Sequence, residues 1–202
     1  MSRTRACQAH SGPSVTWKGS PCIPKPELLG CSQDILDNLR EVAEILEDRG
    51  QAQTRLIVVG GSYLALHGLR EATRDVDTIT VLDETVSSAV HEVATHRGLA
   101  PHWLNSHARP WTPAGLREQD CHVLFEHPNL LVLGPPMDQV FLMKLSASRA
   151  PDVSDMVVLW PLCGFADADD VVNRFYAAYP NEEPDPFMTE YVERIISAAD
   201  AG

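Results

Sequence analysis

The passage from residue 55 to residue 82 constrains the fold most. Arg55-Leu56-Ile57-Val58-Val59 is a short, continuous apolar run rich in β-branched residues, and Gly60-Gly61 ends it. Helical character resumes at Ser62 and continues to Leu69, weakened by Gly68. A strand that hands over to a helix through two glycines is an α/β element, because the run is too short for a helix and the glycines permit the sharp turn. Asp75 to Leu82 then alternates and is rich in Val, Ile and Thr, which predicts a second strand with Asp75 and Asp77 two residues apart on one face.

The rest of the chain extends this unit. Residues 1–31 carry Pro13, Pro21, Pro24 and Pro26 without sustained periodicity and read as an arm without fixed structure. From Ser32, the apolar positions Ile35, Leu36, Leu39, Val42, Ile45 and Leu46 recur at helical spacing; Ser32 can cap this helix and Gly50 stops it. Glu84 to Arg97 is a helix ended by Gly98, followed by a short segment at His102-Trp103-Leu104. Cys121–Phe125 and Leu130–Leu133 pair around His127-Pro128-Asn129. After Gly134-Pro135-Pro136, helices are expected over Met137–Arg149, Val153–Leu162, Ala168–Tyr179 and Phe187–Ala199. The expected organisation is an arm (1–31), an α/β (α+β) core with a small mixed sheet (32–135), and a C-terminal helical lobe (136–202).

Bulk properties exclude some classes. No run approaches the roughly 20 apolar residues of a membrane helix, and the N-terminal segment lacks the apolar stretch of a signal peptide, so a cytoplasmic protein without a membrane partner is expected. Cys7, Cys22, Cys31, Cys121 and Cys163 are odd in number and include no C-x-x-C pair, which fits reduced thiols. A formal charge of −12 argues against nucleic-acid binding by overall electrostatics, so such contact is confined to local patches. The one basic stretch is in the arm, where Arg3, Arg5, Lys18 and Lys25 stand against Glu27.

Two features carry chemistry. Backbone N–H groups of Gly60-Gly61-Ser62 and the Ser62 hydroxyl, at a strand-to-helix turn, can face an anion such as phosphate. The missing Gly-Lys-Ser/Thr ending rules out a Walker P-loop. Asp75 and Asp77 repel each other unless a cation or protons compensate them, and Mg²⁺ is the natural occupant. Together the turn can hold phosphates while the carboxylates hold metal that bridges those phosphates to an attacking hydroxyl.

These residues resemble a known family. Val59-Gly60-Gly61-Ser62, twelve intervening residues and Asp75-Val76-Asp77 resemble the hG[G/S]…Dx[D/E] motif of minimal nucleotidyltransferases with a polymerase-β-like core. Leu69-Arg70-Glu71-Ala72-Thr73-Arg74-Asp75-Val76-Asp77 looks like a phrase of the AbiEii-like members. Phe141-Leu142-Met143-Lys144-Leu145 followed by Arg149, Asp152 and Asp155 is similar to their second block. The resemblance spans Leu56 to about Leu159, roughly half of the chain, and in size and layout it is to MenT-type toxins of mycobacterial toxin–antitoxin pairs. It implies an enzyme that transfers NMP from an NTP, pyrimidine favoured, to the 3′ end of tRNA, held in check by a cognate antitoxin. By position it implies that Gly61, Ser62, Lys144 and Arg149 bind nucleotide, that Asp75 and Asp77 ligate Mg²⁺, and that Asp155 or Asp152 completes or braces the site. Asp75, Asp77, Lys144 and Asp155 form the implied catalytic set, and Arg149 is expected to pair with one of the later acids.

The resemblance departs from the family where a third acid is expected on a later strand. In Cys121-His122-Val123-Leu124-Phe125, His122 occupies that place, with Asp120 two residues earlier on the same face; either could take a proton, and Asp152 is a further candidate. The pairs His91/His96, His102/His107 and His122/His127 are each spaced by five, which suits neither a helix face nor a strand, so no zinc site is assigned. Trp17, Trp103, Trp111 and Trp160 are scattered and define no base-stacking platform. Three functions remain open: the tRNA-directed toxin; a transferase acting on a protein hydroxyl (AMPylation) or on a small molecule such as an aminoglycoside; and a degenerate binding protein. Phosphorylation of Ser62 would put about −2 of charge where the γ-phosphate belongs and would restrain the enzyme.

Overall fold

A computed structural model of the protein describes residues 29–202. The expected arm, with Arg3, Arg5, Lys18, Lys25, Cys7, Cys22 and Trp17, lies outside the described residues up to position 28. Its last residues are held in place: Leu29 is buried, its N–H donates to the Thr73 carbonyl at 2.8 Å, and the Thr73 N–H donates back to Gly30 at 3.3 Å.

The described residues form a mixed α/β structure. Helix α1 (Ser32–Asp48) leads into strand β1 (Thr54–Val59) and helix α2 (Gly60–Leu66), then β2 (Val76–Thr78), α3 (Glu84–Arg97) and β3 (Leu104–Asn105). The hairpin β4 (His122–His127) and β5 (Leu130–Gly134) follows, and then helices α4 (Met137–Ala147), α5 (Asp152–Leu159), α6 (Ala168–Ala178) and α7 (Met188–Asp200). The five-stranded sheet has the order β3-β2-β1-β5-β4. β1 runs antiparallel to β2 and parallel to β5, while β3 is parallel to β2 and β4 antiparallel to β5. Among the described residues, no helix is long and apolar enough to cross a membrane.

Most expected elements are present, with shifts that have physical causes. The cap of α1 is Cys31, not Ser32, and the Asp34 carboxylate accepts the Cys31 N–H at 2.9 Å. The second strand was expected from Asp75 to Leu82 but spans only Val76–Thr78. At its end the Ile79 N–H donates to the Ile57 carbonyl at 3.0 Å and threonine side chains take the other bonds: Thr80 Oγ1 accepts the Ile57 N–H at 3.0 Å and the Thr78 hydroxyl donates to the Ile57 carbonyl at 2.8 Å.

Alternation along the strands divides the interior. Leu56, Val58, Val76, Leu130 and Val132 point to one face and are buried by α1 and α3, through Leu39, Val42, Val90 and Val93 among others. Each such side chain contributes roughly 1.5–3 kcal/mol by leaving water. Trp103, fully enclosed there, satisfies its indole N–H on the Val90 carbonyl at 3.1 Å. A second apolar core joins α4 to α7 through Phe141, Leu142, Leu145, Met156, Val171 and Val192, and α2 contributes Tyr63 and Leu64 to it. Helix α2 therefore ties the sheet to the helical lobe.

Candidate active site

Asp77 lies where the two halves meet. Its neighbours Val76 and Thr78 are buried on the α1/α3 side, so period-two alternation sends the Asp77 carboxylate to the opposite face, beside α4. Asp77 is in register with Val59 on one side and Asn105 on the other, so the carboxylate stands next to the residue that opens the glycine turn. Gly60 has φ +69°, and a Cβ there would come within 3.0 Å of Asp77 Oδ2; one at Gly61 would come within 3.0 Å of Thr73 Oγ1. The left-handed φ favours glycine at Gly60 and close approach favours it at both positions, so the turn packs directly against Asp77 and Thr73.

A second group of charges faces this unit. Lys144, on α4, is only 4% exposed, and its Nζ donates to Asp155 Oδ2 at 2.7 Å and Asp152 Oδ1 at 3.1 Å. Arg149 Nε donates to the other Asp152 oxygen at 3.0 Å, and Arg70 Nη1 to Asp155 Oδ2 at 3.1 Å. The result is a chain of alternating charge: Arg70, Asp155, Lys144, Asp152, Arg149. It exists because α4 ends at Ser148 in the left-handed region, φ 47°, and the chain turns back so that the first turn of α5 presents Asp152 and Asp155 to Lys144. Burial raises the Asp152 carboxyl, but Lys144 and Arg149 outweigh it and hold the group below the ordinary aspartate range.

Between the two groups lies a cleft of about 430 Å³, lined by Gly61, Arg70, Arg74, Asp75, Asp77, Lys144, Arg149, Asp152 and Asp155 among others. Asp75 and Asp77 share it, and among the described residues no Lys, Arg or His forms an ion pair with either. Burial first, and the Asp75 charge next, push the Asp77 carboxyl above its ordinary range; Arg149, Asn105 and His107 oppose this only in part. An adjoining apolar hollow of about 120 Å³ shares Asp77, Lys144 and Arg149 with the cleft and is otherwise lined by Val59, Gly60, His107, Ala108, Trp111, Val140, Met143 and Ala147.

Of the residues singled out in the sequence, Gly61, Asp75, Asp77, Lys144, Arg149, Asp152 and Asp155 converge on this cleft. The expected pairing of Arg149 with a later acid is present, to Asp152. Ser62 is elsewhere: it is fully buried and its Oγ donates back to the Val59 carbonyl at 3.0 Å, because Gly60 and Gly61 occupy the first turn and rotate Ser62 into the interior. In this conformation its hydroxyl faces neither a phosphate in the cleft nor a modifying enzyme.

Asp120 and His122 are also elsewhere. Strand β4 is the far edge of the sheet, separated from β2 by β1 and β5, and neither residue lines the cleft. Asp120 is held by a two-pronged bond from Arg117, at 3.0 and 3.2 Å, and His122 Nε2 lies 3.1 Å from His67 Nε2. The strand beside Asp77 is β3, where the register partner is Asn105, an amide. Reading residues alone missed Arg70 and Arg74 in the cleft and His107 and Trp111 in the hollow beside it; the arginines were visible only inside the phrase ending at Asp77, and nothing local distinguishes His107 from the other histidines.

Among the described carboxylates that line the cleft, Asp75 and Asp77 are the two without an ion-pair partner. No group of three or more His, Cys, Asp or Glu among the described residues could hold a metal ion. A donor set of two adjacent carboxylates suits the chemistry of Mg²⁺, which is commonly held by one or two carboxylates and completes its shell with waters and substrate phosphates. No family model, no curated protein and no solved structure matches the chain, so the family resemblance rests on the residues quoted for it and the fold stands as mixed α/β.

Proposed function

We propose that the chain is a Mg²⁺-dependent nucleotidyltransferase that moves NMP from an NTP to an acceptor hydroxyl. The observation that carries this reading is the pair of carboxylates, Asp75 and Asp77, without an ion pair among the described residues and facing a buried Lys144 and the flanking Arg70 and Arg149 across one cleft. Asp75 and Asp77 would hold the metal, which supplies charge neutralisation at the phosphates. Arg70, Lys144 and Arg149, held in place by Asp155 and Asp152, and the exposed Arg74 would supply positive charge to the remaining phosphate oxygens. The acceptor oxygen forms a bond to the α-phosphorus, the bond from that phosphorus to the bridging oxygen breaks, and pyrophosphate leaves while the hydroxyl proton passes to solvent.

For the acceptor, the 3′ end of tRNA is the reading that the residue resemblance supports, with the chain as a toxin restrained by an antitoxin. The opposing observation is the charge of −12, which favours a protein hydroxyl or a small molecule. One experiment separates these: purified protein with Mg²⁺ and each labelled NTP, offered total tRNA, protein or aminoglycosides. Label on tRNA is expected. Label on protein or a small molecule replaces the acceptor, and no label with any acceptor, from protein that still binds nucleotide, makes it a binding module. Asp77→Ala is expected to lower transfer about 10³-fold, the several kcal/mol that a positioned metal supplies.

A further inference from the structure

We infer that the apolar hollow beside Asp77 is the seat of the nucleotide's base, so that the site reads an NTP in two parts. The inference rests on the nucleotidyltransferase reading and extends it to a specific ligand group. The cleft proper is lined mainly by charged side chains, whereas the hollow is walled by Val59, Val140, Met143, Ala147 and Trp111. Asp77, Lys144 and Arg149 belong to both, so the two spaces open into each other across the charges that would hold the phosphates. An NTP has the same division: a polyanionic tail and a flat ring of low polarity on its faces.

The wall of the hollow suits a flat ring. The Arg149 guanidinium lies 5.9 Å from the centroid of the Trp111 ring. Indole and guanidinium planes are the side chains on which bases stack. Trp111 is also held from outside the site: its carbonyl accepts the Tyr179 hydroxyl at 2.7 Å, and the Ala114 N–H donates to the Ala178 carbonyl at 2.8 Å. The helical lobe thus positions the loop that closes the hollow. Helix α4, which carries Lys144 at the phosphates, also carries Val140, Met143 and Ala147 one helical turn apart along the apolar wall. One helix then presents its cation to the tail and its apolar stripe to the base.

The test compares binding of Mg·CTP and Mg·ATP with that of Mg·tripolyphosphate, a ligand with the tail and no base, by titration calorimetry. The variants are Ala147→Phe, which fills the hollow from the end of α4, and Trp111→Ala, which removes its half-buried wall; thermal melting reports whether each is folded. The wild type is expected to bind an NTP about ten-fold or more tighter than tripolyphosphate, and both variants to lose that difference while keeping tripolyphosphate affinity. Wild-type protein that binds tripolyphosphate as tightly as an NTP, or a folded Ala147→Phe with undiminished NTP affinity, overturns the inference and leaves the enzyme reading standing. Wild-type protein that binds neither ligand overturns both.

Discussion

The two walls of the cleft hold the same kind of residue in opposite states. Asp152 and Asp155 are buried, yet each oxygen that faces the cleft is matched by Lys144, Arg149 or Arg70, and Asp152 stays ionised below the usual range. Asp75 and Asp77 are half-buried and form no ion pair among the described residues, and the Asp77 carboxyl is pushed up. A carboxylate already paired with buried cations gains little from a further one, whereas two like charges without such partners favour the approach of positive charge. The difference assigns work: the α4/α5 wall fixes the geometry of Lys144, and on the nucleotidyltransferase reading the Asp75/Asp77 wall is where a cation would gain most by binding.

The largest effect that tests this contrast is on stability. Lys144→Met leaves Asp152 and Asp155 buried without their shared cation, and should cost about 3–5 kcal/mol in denaturant unfolding, the typical loss when one member of a buried pair is removed. Asp77→Asn removes a charge that burial and Asp75 disfavour, and should raise stability slightly while abolishing Mg²⁺-dependent stabilisation of the folded state. A Lys144→Met loss no larger than that of a surface substitution would break the contrast, because Lys144 would then be held by neither acid.

How much of this was legible without coordinates depends on whether a signal was local. The strand, turn and helix around Gly60 follow from the abrupt change of hydrophobic period, and α3 from Asp83, Glu84–Arg97 and Gly98, each a local cap or propensity effect. Asp75 and Asp77 were legible as a pair because strand alternation is itself local. Their state was not. Whether a carboxylate is paired depends on Arg70 reaching Asp155 across 85 positions of sequence, and no periodicity encodes that. The third-acid position failed for the same reason: β4 pairs with β5, and β5 and β1 lie between it and β2, so the strand on the outer side of Asp77 is β3 and its residue is Asn105. Ser62 failed by rotation, since two glycines in one turn of helix decide which way the next side chain points.

Within the compensated wall a smaller effect is expected from Arg149→Ala. Its side chain is 62% exposed, so the pair with Asp152 is screened on the arginine side, and the loss should stay under about 1 kcal/mol because Lys144 still holds the other Asp152 oxygen. Unfolding midpoints for Arg149→Ala and Lys144→Met, measured together, rank the two cations; an Arg149 loss as large as the Lys144 loss would mean that the buried lysine is not the anchor.

The subtlest consequence concerns pH, where the two walls carry opposite signs. For Asp152 the folded group titrates below its ordinary value of 3.8, so its contribution is present above that value and is lost as pH falls through the lowered folded range. For Asp77 the folded group titrates above 3.8, so the folded state binds its proton more tightly than the unfolded chain, and stability is lost as pH rises from 3.8 through the raised range. The stabilising effect of Asp77→Asn should therefore be absent in acid and grow as pH rises, whereas the cost of Asp152→Asn should be largest at neutral pH and shrink only in strong acid. Mg²⁺ should reverse the first trend, because a cation bound to Asp75 and Asp77 favours the ionised form and its affinity rises as Asp77 loses its proton. Unfolding midpoints of wild type and both variants across pH, with and without Mg²⁺, check this, and an Asp77→Asn gain that does not vary with pH would show that the Asp77 carboxylate is compensated after all.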